Sequence, residues 1–173
     1  MLNYFESSNL LYKPVTLSDA KLILKWRNST EVKSNFIIQD DITEEDNKNW
    51  YDNVVSKGKA VQFVVYVIET HQPIGSVYFS HVDKMKSSAE YGIFIGVESA
   101  KGKGYGTEII KWAVNYAKNK MKMKYLYLRV FEDNKAAIKS YINGGFVTTD
   151  KYEIINQNGY DRKLIFMENN IEK

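Results

Sequence analysis

At 173 residues and 20.1 kDa the chain has room for one domain of ordinary size and not for two. It holds no cysteine, which excludes a thiol nucleophile, a thiolate metal site and a disulfide framework. A net charge of +3, with basic residues clustered only between positions 111 and 124, is too weak a stripe for a nucleic-acid binder, and no nucleic-acid partner is expected.

The longest nearly uncharged stretch, residues 60–68, falls far short of the roughly 20 apolar residues that span a bilayer, so no membrane partner is expected either. Residues 1–15 lack the basic start, apolar centre and small-residue cleavage site of a secretory leader, and the expected location is the cytoplasm.

Residues 10–15 read as a short strand. Leu17 and Ser18 then open a helix, Ser18 as its cap and Leu17 stapled onto Leu22, with Ile23 and Trp26 on the same side. A second helix starts at Thr43, where Glu44, Glu45 and Asp46 meet the positive end of the helix dipole, and it presents Trp50, Tyr51, Val54 and Val55. The β-branched and aromatic run at 61–68 predicts a strand buried on both faces. Residues 74–82 and 89–95 follow as two more strands of an antiparallel meander.

Gly102, Gly104 and Gly106 precede a helix predicted over 107–120, whose Ile109, Ala113, Tyr116 and Ala117 recur at helical spacing. A strand at 125–131 and a short helix at 134–143, stopped by Gly144 and Gly145, come next. Two closing strands, 146–154 and 160–167, are joined across Asn158-Gly159. The order predicts a single α/β (α+β) domain over residues 1–173.

The segment KGKGYGTE, Lys101 to Glu108, joins a strand to a helix, so backbone N–H groups and the helix's positive end converge above the sheet as an anion cradle. Glycine suits it because a side chain would hold a phosphate away from the backbone. A P-loop would need a lysine immediately before Thr107, where Gly106 stands. A dinucleotide fingerprint would need a third glycine at Thr107 and an acid near Leu126, and neither is present.

Two stretches, EYGIFIGVESAKGKGYG and, further on, NKAAIKSYINGGF, resemble the two signature segments of the GNAT N-acetyltransferases: an Arg/Gln-x-x-Gly-x-Gly/Ala cradle and an Asn-x-x-Ala-x-x-x-Tyr-x-x-x-Gly-Phe helix. The front segment, with Lys13-Pro14 and Trp26-Arg27-Asn28, is similar to the branch that contains ribosomal-protein N-terminal acetyltransferases and nucleotide-amino-sugar acetyltransferases. Lys101 departs from the family's Arg or Gln, and Ala100 stands where many relatives carry an aromatic residue.

The resemblance implies a mixed central sheet of about six to seven strands, splayed at the cofactor site and flanked by about four helices. It implies acetyl-CoA as the donor, with its pyrophosphate on Lys101, Gly102, Lys103, Gly104, Tyr105 and Gly106. Its pantetheine would lie as an extra strand along Ile93 and Ile95. Asn134 would touch the cofactor arm, cap the following helix, or do both. Tyr141 would face the thioester sulfur. A thiol near 8.5 is a weaker base than tyrosinate near 10, so an unperturbed Tyr141 would hydrogen-bond the leaving thiolate rather than protonate it fully.

Glu90 would take a proton from the amine or orient it. His71 and His81 read as lone residues without a base or ligand role, and no spacing of His, Asp and Glu points to a metal. Without a thiol to carry the acetyl group, direct attack of the amine in a ternary complex is the simpler mechanism.

The acceptor is expected to be a small primary amine, contacted by Arg27, Phe36 and Trp50, with Trp26 and Trp50 also readable as core and Arg27 as an ion-pair partner. A nucleotide-linked amino sugar ranks first, since aromatic residues and an arginine suit a base and a diphosphate. A peptide N-terminus, and a polyamine drawn by the acids at 40–46, both rank below it. A module that binds acyl-CoA without catalysis is the alternative from another class, and a homodimer stays open.

Overall fold

The computed structural model describes residues 4–172; Met1, Leu2 and Asn3, which begin the segment read for a leader, and Lys173 lie outside the described residues. Eight strands form one sheet: β1 (Phe5–Glu6), β2 (Leu10–Pro14), β3 (Val61–Val67), β4 (Pro73–Asp83), β5 (Ser88–Ile95), β6 (Tyr125–Phe131), β7 (Val147–Gln157) and β8 (Tyr160–Asn170). Their spatial order is β1-β2-β3-β4-β5-β6-β8-β7, and every neighbouring pair is antiparallel except β5 and β6.

Five α-helices accompany them: α1 (Ala20–Arg27), α2 (Thr30–Lys33), α3 (Glu44–Trp50), α4 (Tyr105–Asn119) and α5 (Lys135–Asn143). The expected six to seven strands become eight because the two-residue β1 pairs with β2, and the expected four helices become five because Ser29 caps the one-turn α2. Both are too short to carry a periodic signal.

Capping decides the helix starts. Thr43 and Asp46 form the reciprocal capping box of α3, as the acid-rich start predicts. Ahead of α1 the box belongs to Thr16 and Asp19, not to Ser18: the Asp19 carboxylate accepts from the Thr16 N–H at 2.8 Å and pairs with Lys13 at 3.2 Å. Leu17, expected to staple onto Leu22, is exposed. The closing strands run on to Gln157 and Asn170, joined by Asn158 and Gly159 at φ 54° and 84°.

The sheet is covered on both faces. On one, α4 and α5 bury Ile109, Ile110, Ala113 and Tyr141 against Phe79, Ala89 and Tyr91. On the other, Ile23, Trp26 and Val32 of α1 and α2 pack on Val64 and Phe94. The densest point is aromatic: the Trp112 indole stacks on Tyr12 at 3.6 Å and meets Phe63 edge-on at 5.1 Å. Replacing Trp112 by Ala is expected to cost about 3–5 kcal/mol in denaturant unfolding, because the emptied volume is walled by rings that fill it poorly.

Candidate active site

Strands β5 and β6 pair only over Ser88–Tyr125, Ala89–Leu126 and Glu90–Tyr127. Beyond that point β5 continues on β4 as far as Ile95 and β6 continues on β8 as far as Phe131, so the two strands part and leave a gap in the middle of the sheet. Ile93 and Ile95, half-buried, stand on the free side of β5, where an extended chain has backbone to pair with.

The cradle lies beyond this gap. Gly102 and Gly104 have φ of 70° and 81°, in the left-handed region, and a β-carbon on either would meet nothing within 4 Å. Gly104 is the N-cap of α4 and carries no side-chain cap, so the first N–H groups of a 15-residue helix face outward unsatisfied by a side chain. A bare loop with an open helix end fits a diphosphate. Lys103 precedes the Gly104 cap, and Tyr105 and Gly106 form the first turn of α4. The Lys101 amine pairs with Glu31 and, at 3.0 Å, with Glu98, and burial lowers its pKa.

Changing Gly104 to Ala is expected to weaken acetyl-CoA binding about tenfold in calorimetry and to cost about 1 kcal/mol of stability from the left-handed backbone. Gly159→Ala, with a φ of 84° and equally open space, should show the stability loss without the binding loss.

Tyr141 of α5 is buried beside the gap, edge-on to Tyr91 at 6.2 Å. Burial raises its pKa, with a further push from Tyr78, so Tyr141 stays a neutral hydrogen-bond donor at working pH. Tyr91 carries a buried hydroxyl without a protein partner. Asn134 caps α5 by accepting from Ala137 N–H at 3.2 Å, and its amide donates to Asn35 at 3.0 Å. The capping reading of Asn134 therefore holds in the structure.

On the face covered by α1 and α2, Tyr78 lies over Gly92, whose missing β-carbon gives the ring its place. Burial pushes the Tyr78 pKa up to about 12. Glu90, two residues before Gly92, has both oxygens engaged: Arg129 Nε stands 2.8 Å from one and His81 Nδ1 2.9 Å from the other. His81 is thus not the lone residue that the sequence alone indicates.

Arg27 stacks its guanidinium 3.5 Å from the centre of the Phe36 ring. It is half-buried, and burial lowers its pKa, opposed only by the Tyr78 hydroxyl; among the described residues it has no carboxylate partner. The ion-pair reading of Arg27 fails for that reason. Trp26 is core, packed edge-on against Phe94. Trp50 hydrogen-bonds Gln62 at 3.1 Å, and Gln62 in turn donates to buried Ser76, so this indole anchors α3 to the sheet.

Phe36 is set from far along the chain. Gln157 donates to the Phe36 and Ile37 carbonyls at 3.0 Å each, and Arg162 donates to the Ser34 carbonyl at 2.7 Å while forking onto Asp133. The sequence alone does not single out Tyr78, Arg129, Gln157 or Arg162, which surround this region, and it leaves His81 without a role. Only Arg129 left a trace, as the one charged residue in the apolar run YLYLRVF.

Residues 9–147 match the family described as Acetyltransferase (GNAT) domain. The chain belongs to the GNAT acetyltransferases. Acetyl-CoA is the donor of this family and of this member, and the open cradle and the strand gap suit it. The GNAT chain is 26% identical over 148 residues to spermidine N(1)-acetyltransferase of Vibrio cholerae, covering 82% of this chain and 80% of that one. It is 28% identical over 133 residues to acetyltransferase PseH of Campylobacter jejuni, covering 77% and 80%. An uncharacterized protein of Methanocaldococcus jannaschii, MJ1062, is 27% identical over 149 residues, but the chain spans only 30% of its length.

Among solved structures, spermidine N-acetyltransferase of Vibrio cholerae in complex with CoA and spermine superposes with a TM-score of 0.87 at 21% identity, over 96% of this chain and 100% of that one. No helix among the described residues is long and apolar enough to cross a membrane. No group of three or more His, Asp or Glu residues among them is arranged to hold a metal ion.

Proposed function

We propose that this GNAT acetyltransferase moves the acetyl group of acetyl-CoA directly onto the primary amine of a small acceptor that also carries an anionic group, with a nucleotide-linked amino sugar as the leading candidate. The observation that carries this reading is Arg27. A half-buried guanidinium stacked on an aromatic ring and lacking a carboxylate is an expensive arrangement unless a ligand supplies the missing charge. Phosphate or carboxylate would do so, and the Phe36 ring beside it offers a stacking surface.

Acetyl-CoA supplies an activated thioester. The chain's own groups do the rest in this reading: the β5 backbone orients the pantetheine, the Gly102–Gly104 loop and the α4 N-terminus hold the diphosphate, and neutral Tyr141 donates a hydrogen bond to the sulfur as the C–S bond breaks. With no cysteine in the chain, the amine attacks the thioester without an acyl-enzyme. Asn134 supports the cofactor arm by fixing the start of α5, and Trp50 supports the acceptor side by fixing α3.

A polyamine is the second reading, favoured by the similarity to the Vibrio cholerae spermidine enzyme and by the run of acids Asp40, Asp41, Glu44 and Glu45 ahead of and within the first turn of α3, of which Asp41 pairs with Lys33. Against it, a polycation would meet the Arg27 charge. Thiol release from acetyl-CoA, measured with nucleotide-linked amino sugars, N-terminal peptides and spermidine, separates the cases. Turnover confined to the anionic amines supports the proposal, and turnover confined to spermidine overturns it.

A further inference from the structure

The strand alternation of β4 breaks between Ser80 and Asp83, and His81 sits in that break with a φ of 48°, a left-handed backbone that a β-carbon disfavours. The irregularity has a clear effect on the side chain. Regular pleating would carry residue 81 to the face opposite Tyr78 and Ser80; the bulge instead brings the imidazole to Glu90, Nδ1 at 2.9 Å from Oε2, while its side chain stays 69% exposed. Glu90 itself is nearly enclosed, at 13% side-chain exposure, and Arg129 Nε holds its other oxygen at 2.8 Å.

A carboxylate with a permanent cation on one oxygen and an imidazole on the other is arranged to stabilise charge on that imidazole rather than to collect a proton itself. Buried acid, imidazole and an exposed second ring nitrogen make the same division of labour as the acid and histidine of a hydrolase triad: the acid orients and the histidine exchanges the proton.

We propose that His81 is the proton-accepting group of the acetyl transfer, with Glu90 and Arg129 as its positioning residues. The proposal rests on the N-acetyl transfer inferred above and assigns the role that the sequence alone gives to Glu90. The step balances as follows. The amine nitrogen bonds to the thioester carbonyl carbon, the C–S bond breaks, and CoA leaves as a thiolate that Tyr141 hydrogen-bonds and the medium protonates. The proton lost from nitrogen passes to His81 Nε2, directly or across one water, and from the imidazolium to bulk solvent.

The imidazole meets Glu90 of β5, and the charged and titratable groups that act on the Glu90–Arg129 pair and its neighbour Tyr127 are Tyr78 and Asp83 of β4, Tyr127 of β6 and Glu153 of β7. Arg129 is already committed to Glu90, with Nε 2.8 Å from Oε1.

Histidine occurs only twice in the chain, so His71, exposed in the turn before β4, is a control within the same molecule. In the intact protein with nitrogen-labelled histidine, long-range nitrogen–proton NMR spectra should show a hydrogen-bonded proton held on His81 Nδ1 and none on His71, and Glu90→Gln should remove that signature. The same ring-proton pattern in both histidines of the wild type would overturn the pairing, whatever the acceptor proves to be.

Kinetics test the catalytic part. His81→Asn keeps a residue that tolerates the left-handed backbone and removes the base. With the acceptor that turns over, it should lower kcat about a hundredfold near neutral pH, with rate returning as pH rises or imidazole is added, and leave the KM for acetyl-CoA unchanged. A wild-type rate and pH profile in His81→Asn would overturn the proposal. Absence of turnover by the wild type with every acceptor would count against the substrate reading, and the ring-proton spectra would then decide the pairing alone.

Discussion

Tyr141→Phe is expected to lower kcat by about two to three orders of magnitude while leaving the KM for acetyl-CoA and the folding stability close to those of the parent protein. The change removes one oxygen and keeps the ring that packs edge-on against Tyr91 and on Phe146, so the core around α5 survives. What disappears is a donor that matters only when negative charge develops on sulfur, and losing one such preorganised donor costs about 2.7–4 kcal/mol of transition-state stabilisation. Initial rates of thiol release, with acetyl-CoA affinity from calorimetry, give the required split between kcat and binding.

The direction of the Tyr141 pKa adds a pH test. Burial raises it, so the neutral donor persists above the ordinary tyrosine value of about 10, and activity should show no loss through pH 9 from this group. A tyrosine lowered toward the thiol's range would instead lose activity in that interval. A Tyr141→Phe protein with full turnover would show that the charge on sulfur is stabilised by another donor.

The second large effect belongs to Arg27. Arg27→Met keeps an unbranched apolar stem against Phe36 and deletes the charge. For an acceptor bearing phosphate or carboxylate, the loss of a charge-assisted hydrogen bond of about 1.5–3 kcal/mol should reduce kcat/KM roughly ten- to hundredfold, chiefly through KM. Stability should hold or rise, because burial without a carboxylate partner already disfavours this cation. The combination is diagnostic: a structural Arg27 would lower the melting temperature on replacement, and a ligand-binding Arg27 would not. Any residual activity on spermidine should improve when the repelling charge is gone.

The parts legible in the sequence were those set by local spacing. The amphipathic stripe of α4, the Thr43 box, the Asn158-Gly159 turn and the pair of family segments from Glu90 to Phe146 each sit within one element or between neighbours. The parts that were not legible depend on register between distant strands. His81 reaches Glu90 only because β4 bulges opposite β5, and Arg129 joins them only because β6 pairs in parallel at Glu90–Tyr127. Phe36 takes its position from Gln157 and Arg162, more than a hundred residues away, through bonds to backbone carbonyls that leave no mark on side-chain identity.

Arg27 shows a different limit. An arginine beside a tryptophan on a short helix pairs with a carboxylate in most settings, and only the surroundings revealed that none is there. Lys101 takes its place in the cradle motif, yet its amine turns to Glu31 and Glu98, contacts that the motif does not disclose.

The central claim is that acetyl passes across the β5–β6 gap to an amine whose anionic partner group rests on Arg27. Its most direct test is the rate of thiol release with a matched pair of acceptors, the same amino sugar with and without its nucleotide diphosphate, in the parent protein and in Arg27→Met. The account predicts that the diphosphate raises kcat/KM by at least tenfold in the parent and by little in the variant. Equal rates with both acceptors in the parent protein, or a diphosphate advantage that survives Arg27→Met intact, would contradict it.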